Sequence, residues 1–172
     1  MQSIMNIKTE LKVMHACELG AVGVYRGHKC VARYFFRSNL AELDSMRFHE
    51  KSHAEIFKNE LSKRDSRTCY AVQLFFWGGL FYGVFIGLFG LKSIGTSTST
   101  IESIVVHELD KVLEKLDVRS SLYTTIKEVQ LEELEHNDSG KELAGENFWL
   151  SGFISRIAKV GAYSAKNLAS IL

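Results

Sequence analysis

Apolar residues recur at intervals of three and four along almost the whole chain, and no Pro interrupts them. That period is the signature of helices that each bury one face, so the chain is predicted to be helical nearly throughout. Six segments follow from the punctuation. The first runs from about Ile7 to Phe36. The second opens after Ser38 and Asn39, a candidate cap, and continues to about Lys63. Asp65, Ser66 and Arg67 break the pattern before a third segment from Ala71 to Leu91. The Gly/Ser/Thr stretch from Ser93 to Thr100 then leads into a fourth helix ending near Leu116. A turn over Asp117 to Ser121 introduces a fifth helix to about His136, closed by Asn137 to Gly140, and the last runs from about Leu143 to Leu172.

Four carboxylates sit where this pattern calls for hydrophobes. Glu18 shares a helical row with Leu11, Met14, Val22 and Tyr25, and Glu50 shares one with Leu43, Met46 and Phe57. Glu133 follows Ile126 and Val129 on its row, and Glu102 precedes Val105, Val106 and Leu109. A buried, uncompensated carboxylate costs several kcal/mol, so four of them demand positive charge close by. Glu132 and Glu135, flanking the row of Glu133, read as solvated.

Two of these carboxylates are followed three residues later by His, as Glu50 with His53 and Glu133 with His136. Three residues bring both side chains to one helical face, where they can hold the same ion. More specific is the repeated order, Glu18 then Glu50xxHis53, and Glu102 then Glu133xxHis136, with intervals of 32 and 31 residues. Two helical hairpins of one design are implied. A Glu from each of two helices and an ExxH from each of two others converge on a metal pair in ferritin-like bundles. The predicted fold is therefore all-α, a ferritin-like four-helix bundle with two additional helices, in one domain over 1–172. The predicted ligands are Glu18, Glu50, His53, Glu102, Glu133 and His136. Four carboxylates and two imidazoles suit iron(II) or manganese, and iron is the choice: two ions, a di-iron centre able to reduce O₂. Tyr25, His107 and Asp138 are candidates for a surrounding layer that orients the ligands.

Composition narrows the function further. Lys and Arg number 21 against 20 acidic residues, a net charge of +1, so nothing points to nucleic acid as a partner. No glycine-rich phosphate-binding string occurs. Cys17, Cys30 and Cys69 are odd in number and widely spaced, which fits a reducing compartment better than a disulfide framework. Met1 to Glu10 has neither a basic stretch leading into an apolar run nor the Arg/Ser-rich amphipathic character of a targeting segment.

The segment from Ala71 to Leu91 stands apart, since Gln73 is its only strongly polar residue. Twenty-one residues at 1.5 Å each span about 30 Å, enough to cross a bilayer core. Gly79, Gly83 and Gly87 recur every fourth residue and would let another helix approach closely. The preferred reading is a strongly hydrophobic helix beside the bundle that dips one face into a membrane surface; a spanning helix and a buried core helix are the alternatives.

The strings HACELGAVGVYRGH, HEKSHAEIF and EELEHNDSG resemble the demethoxyubiquinone hydroxylase family, the di-iron monooxygenases of ubiquinone biosynthesis. The likeness extends to the Gly-rich apolar segment, to Glu102 at its expected distance, and to the final helix with Arg156, Lys159 and Tyr163. It implies O₂-dependent hydroxylation of the demethoxy-quinone ring at a membrane surface, with a long-chain isoprenoid quinone as substrate and the six ligands above in the family's metal positions. A lipid-binding partner of the same pathway and a homodimer accompany that expectation. The expected location is peripheral, on the cytoplasmic face of a bacterial inner membrane, or on the matrix side of the mitochondrial inner membrane if a presequence has been removed. Two positions depart from the family: Glu108-Leu109 stands where a His-Tyr pair is common, and Asn137 where a second His is expected. An electron-transfer role for those positions does not carry over. A non-catalytic lipid- or quinone-binding scaffold and a ferritin-like iron- or peroxide-handling protein are the competing readings.

Overall fold

A computed structural model describes the backbone of residues 2–172 and the side chains from Ile7 onward. The reading of Met1 to Glu10 as free of targeting character rests in part on residues outside that range. Among the described residues there are six α-helices and no strand, consistent with a helical bundle: α1 Gln2–Phe35, α2 Leu40–Ser62, α3 Val72–Gly87, α4 Leu91–Leu113, α5 Ser121–Ala144 and α6 Ser151–Ile171. The chain divides into two compact units. One comprises the residues up to Leu91 together with Tyr163–Leu172; the other is Lys92–Ala162.

In the first unit α1 packs against α2 and α3. The α1–α3 contact depends on missing side chains. A Cβ on Gly79 would lie 2.0 Å from the Gly20 carbonyl oxygen, and one on Gly83 would lie 2.1 Å from that of Val24. From the other side, a Cβ on Gly23 would meet the Phe76 carbonyl oxygen at 2.1 Å. Backbones that close leave no room for any residue but Gly, which is how the four-residue spacing in α3 is used. Around the start of α3, Val13 and Ala16 of α1 bury Cys69 and Phe75, with Ala169 of α6 in the same cluster. A short 3-10 turn, Arg37–Asn39, joins α1 to α2. The junction lies where the sequence placed it, but Asn39 makes no side-chain capping bond.

The second unit repeats the device between α4 and α5. A Cβ on Gly95 would fall 2.3 Å from the Ala144 nitrogen, and one on Gly140 would fall 2.6 Å from the Ser99 nitrogen. Near the other end Gln130 Nε2 donates to Asp110 Oδ1 at 2.5 Å, so the two helices run antiparallel. Ile94, Leu109 and Val112 of α4, Leu122, Ile126 and Val129 of α5, and Ile154 and Ala158 of α6 are buried. At the start of α5, Ser120 Oγ accepts a hydrogen bond from the Tyr123 N–H, and Gly145, at φ 59°, ends the helix.

Three expected boundaries move. Ser93 to Thr100, read as a lead-in, is helical and belongs to α4. Its hydroxyls do not compete with the helix because they donate back along it: Thr96 Oγ1 to the Lys92 carbonyl at 2.8 Å and Thr100 Oγ1 to that of Thr96 at 2.7 Å. Asn137 to Gly140, read as the end of the fifth helix, lies inside α5, where Gly140 serves close packing rather than termination. The last helix begins at Ser151 instead of Leu143, after the positive-φ residues Gly145 and Asn147.

A further correction, one with functional weight, concerns α3. It has 16 residues, about 24 Å of helix, and no helix among the described residues is long and apolar enough to cross a membrane. The helix ends at Gly87 rather than Leu91, and the chain turns at Gly90, at φ 101°, before α4 begins.

Two expected outcomes follow. Gly83→Ala should lower unfolding free energy by about 1–3 kcal/mol through backbone displacement. Gly78→Ala, where a Cβ meets nothing within 4 Å, should be neutral or gain up to about 1 kcal/mol. Urea titrations of both variants check this, and equal effects would refute the close helix contact. The second concerns His28, fully buried on α1 with its ring edge-on to Tyr25 at 5.9 Å. Burial holds its imidazole down at about 3, against 6.5 for an exposed His. Between those values the unfolded chain binds a proton that the folded chain refuses. This contribution is therefore complete above about pH 6.5 and is lost as pH falls towards 3, at about 1.4 kcal/mol per pH unit. Stability of wild type should fall more steeply than that of His28→Leu between pH 6 and 4; parallel curves would show that the group does not titrate this way.

Candidate metal centre

In the first unit, Glu18 occupies the buried row of α1 between Leu11 and Tyr25, and Glu50 and His53 occupy the row of α2 between Met46 and Phe57. Each row is otherwise largely apolar, with His15 and His28 on α1 and Glu60 on α2 as further buried polar residues, so the packing that buries the neighbours carries the polar groups inward as well. Glu18 is 4 % exposed, Glu50 1 % and His53 1 %. One donor atom from each of the three lies within 4.8 Å of the others.

The second unit has the same arrangement. Glu102 of α4 and Glu133 and His136 of α5 are buried, and their donor atoms also lie within 4.8 Å of one another. Within this triad His136 Nδ1 and Glu133 Oε2 approach to 3.1 Å, one helical turn apart, which fixes the imidazole relative to the carboxylate. Each unit thus gathers two carboxylates and one imidazole from two helices, in the order the sequence repeats.

These residues fit a metal ion on their own chemistry. Six ionisable side chains are buried, and uncompensated carboxylates at that depth would cost several kcal/mol each. Oxygen donors with imidazole and no thiolate match borderline divalent cations such as iron(II) or manganese. Buried Glu and His in this grouping could therefore hold a metal.

The remaining candidates are dispersed. Tyr25 is buried on the row of Glu18. His107 is exposed. Asp138 also points outward, with a side chain 75 % exposed and paired to Lys141 Nζ at 2.7 Å, so it orients neither imidazole. Position in the helix explains the difference: from His136, two further residues rotate about 200°, to the opposite face. Spacing did mark two residues that the motif reading passed over. Thr98 stands four residues before Glu102, and Asn137 four after Glu133, and both are buried. The same turn-to-turn alignment that placed Glu102 and Glu133 places them.

Against known proteins, the family model described as ubiquinone biosynthesis protein COQ7 matches residues 5–169. A curated relative from Polynucleobacter necessarius subsp. necessarius (strain STIR1), named 3-demethoxyubiquinol 3-hydroxylase, is 30 % identical over 142 residues. That match covers 80 % of this chain and 65 % of the relative, so the chain spans just under two thirds of the relative's length. With the family pattern running through both Glu…ExxH halves and nearly the full chain, this protein belongs to the COQ7 family of ubiquinone biosynthesis proteins.

Proposed function

We propose that this protein is a ferritin-like di-iron monooxygenase that uses O₂ to hydroxylate the ring of demethoxyubiquinol, the activity carried by the relative's name. The observation that carries the reading is the pair of buried triads, Glu18, Glu50 and His53 in one unit and Glu102, Glu133 and His136 in the other. In this reading each triad supplies ligands to iron, two ions per chain in all. Bound there, the iron pair supplies the O₂ reduction and the oxidising power that side chains lack.

The protein's own part is to bind and to exclude. The four carboxylates and two imidazoles would hold the ions, the two His residues from α2 and α5. Apolar neighbours such as Leu43, Met46, Phe57, Ile126 and Val129 keep bulk water from the donors. The pairing of His136 with Glu133 keeps the ring aimed along one turn of α5.

A long isoprenoid quinone must be taken from lipid, and α3 supports a place where this happens. One face of α3 is spent on the Gly contact with α1. The other presents Leu74, Trp77, Phe81, Phe85 and Leu88, which are 46–69 % exposed and spaced three and four apart. A helix with such a face is suited to lie in a membrane surface with its aromatic side among the acyl chains. We assign α3 that role.

Anaerobic reconstitution should load two iron(II) ions per chain. Glu50→Ala and His136→Ala should each reduce iron content and lower hydroxylation at least about 100-fold, since each opens a ligand position and unbalances buried charge. Near-normal turnover with either variant would remove the metal-centred reading. On α3, the double variant Phe81→Asp/Phe85→Asp should weaken vesicle binding about tenfold or more while leaving iron content intact. Unchanged partition into vesicles would show that this face does not meet lipid.

A further inference from the structure

Thr98 Oγ1 and Asn137 Oδ1 are buried in the second unit, and no described protein atom hydrogen-bonds to either. Thr98 breaks the habit of its own helix. Thr96, Thr100 and Ser103 each donate to the carbonyl four residues back, at 2.7–2.8 Å, whereas Thr98, as deeply buried as any of them, does not. A buried polar group left without a partner costs about 1–3 kcal/mol, and native structures rarely tolerate it without a ligand or an ordered water.

The placement of the two residues is specific. Thr98 faces α5, for its Cγ2 would lie 2.9 Å from a Cβ on Gly140, and Asn137 stands one turn before Gly140. Because α4 and α5 are antiparallel, one turn onward from Thr98 is Glu102, and one turn back from Asn137 is Glu133. Both steps lead the same way. Thr98 stands level with Gly140, so Asn137 lies about one turn further along the interface, beside Glu102, with Glu133 a turn beyond. Three to four residues of helix separate the levels of Thr98 and Asn137, a rise of about 5–6 Å, which one water molecule bridges with a hydrogen bond of about 2.8 Å on each side.

We propose that Thr98 and Asn137 form a binding site for a single buried water that adjoins the Glu102 carboxylate. The water accepts from the Thr98 hydroxyl, donates one O–H to Asn137 Oδ1 and directs the other towards Glu102. Three bonds are the usual complement of a buried water, and this site supplies them. Its use in turnover rests on the oxygenase reading above: Thr98 and Asn137 are positioning residues that keep one O–H, and hence one transferable proton, beside the centre. The water itself does not depend on that reading.

Thr98→Val, Thr98→Ser and Asn137→Leu test the site in the full chain at matched metal content. Thr98→Val and Asn137→Leu should each lower Tm by about 2–4 °C, and the double variant should lose less than their sum, because each single change strands the other's bond to the water. Thr98→Ser should keep the coupling. A Tm that rises in Thr98→Val would mean a dry, unsatisfied hydroxyl had been removed, and would overturn the site. A crystal structure should show one water within about 3.2 Å of both atoms in wild type and none in Thr98→Val; its absence in wild type overturns the proposal even if Asn137→Leu fails to fold. For the turnover role, the solvent deuterium isotope effect on O₂ consumption should change at least about twofold in Thr98→Val and stay near wild type in Thr98→Ser. An unchanged isotope effect with the water lost overturns proton placement. Should wild type bind no iron, the proposed function fails, while the Tm and crystallographic results still decide the water site.

Discussion

Burying carboxylates is the constraint on which the rest of this molecule depends. Glu18, Glu50, Glu102 and Glu133 lie on helix faces otherwise made of Leu, Ile, Val, Met and Phe, each 4 % exposed or less. A single charge so placed would be removed by a pKa shift or by local unfolding. In each unit two of them with one imidazole form a buried group that could hold a divalent cation. Such a set must be rigid, since its members have to meet within a few ångströms while their own repulsion drives them apart. Helices supply that rigidity. The three-residue offset between Glu and His keeps both on one face without any contribution from loops.

Close helix contact is the second recurrent device, and the two units put it to different ends. In the first unit the glycines of α1 and α3 let two backbones touch, so that α3 needs only one narrow face to hold its place. Its aromatic residues are thereby left outward, an arrangement that would be a liability in water alone and that suits a lipid surface. In the second unit Gly95 and Gly140 draw α4 and α5 together beside a run of Ser and Thr. Small hydroxyl-bearing residues fit the narrow gap and satisfy themselves along their own helix. Thr98, which does not, stands out for that reason.

Both devices act through helix faces, and that decides what could be read from residue order. Helix type and number followed from the three-and-four spacing of apolar residues. The burial of Glu18, Glu50, His53, Glu102, Glu133 and His136 followed from the same spacing, because a carboxylate on an apolar row is conspicuous wherever the row is regular. Boundaries were less legible. Ser93 to Thr100 and Asn137 to Gly140 have the composition of loops and are helical, since their Ser, Thr and Gly residues are selected by a neighbouring helix that the linear sequence does not show.

The sequence by itself determined the helical class, the repeated Glu…ExxH order and the amphipathic rows, all of which are local consequences of 3.6 residues per turn. Tertiary structure decided what depends on a partner helix. It set how far α3 extends, turned Asp138 outward to Lys141, left His107 in solvent, and enclosed Thr98 and Asn137 between α4 and α5. The physical reason is that burial belongs to pairs of surfaces: a periodic pattern marks which face of a helix will be covered, while only the covering helix fixes which polar groups are enclosed with it and what they must bind.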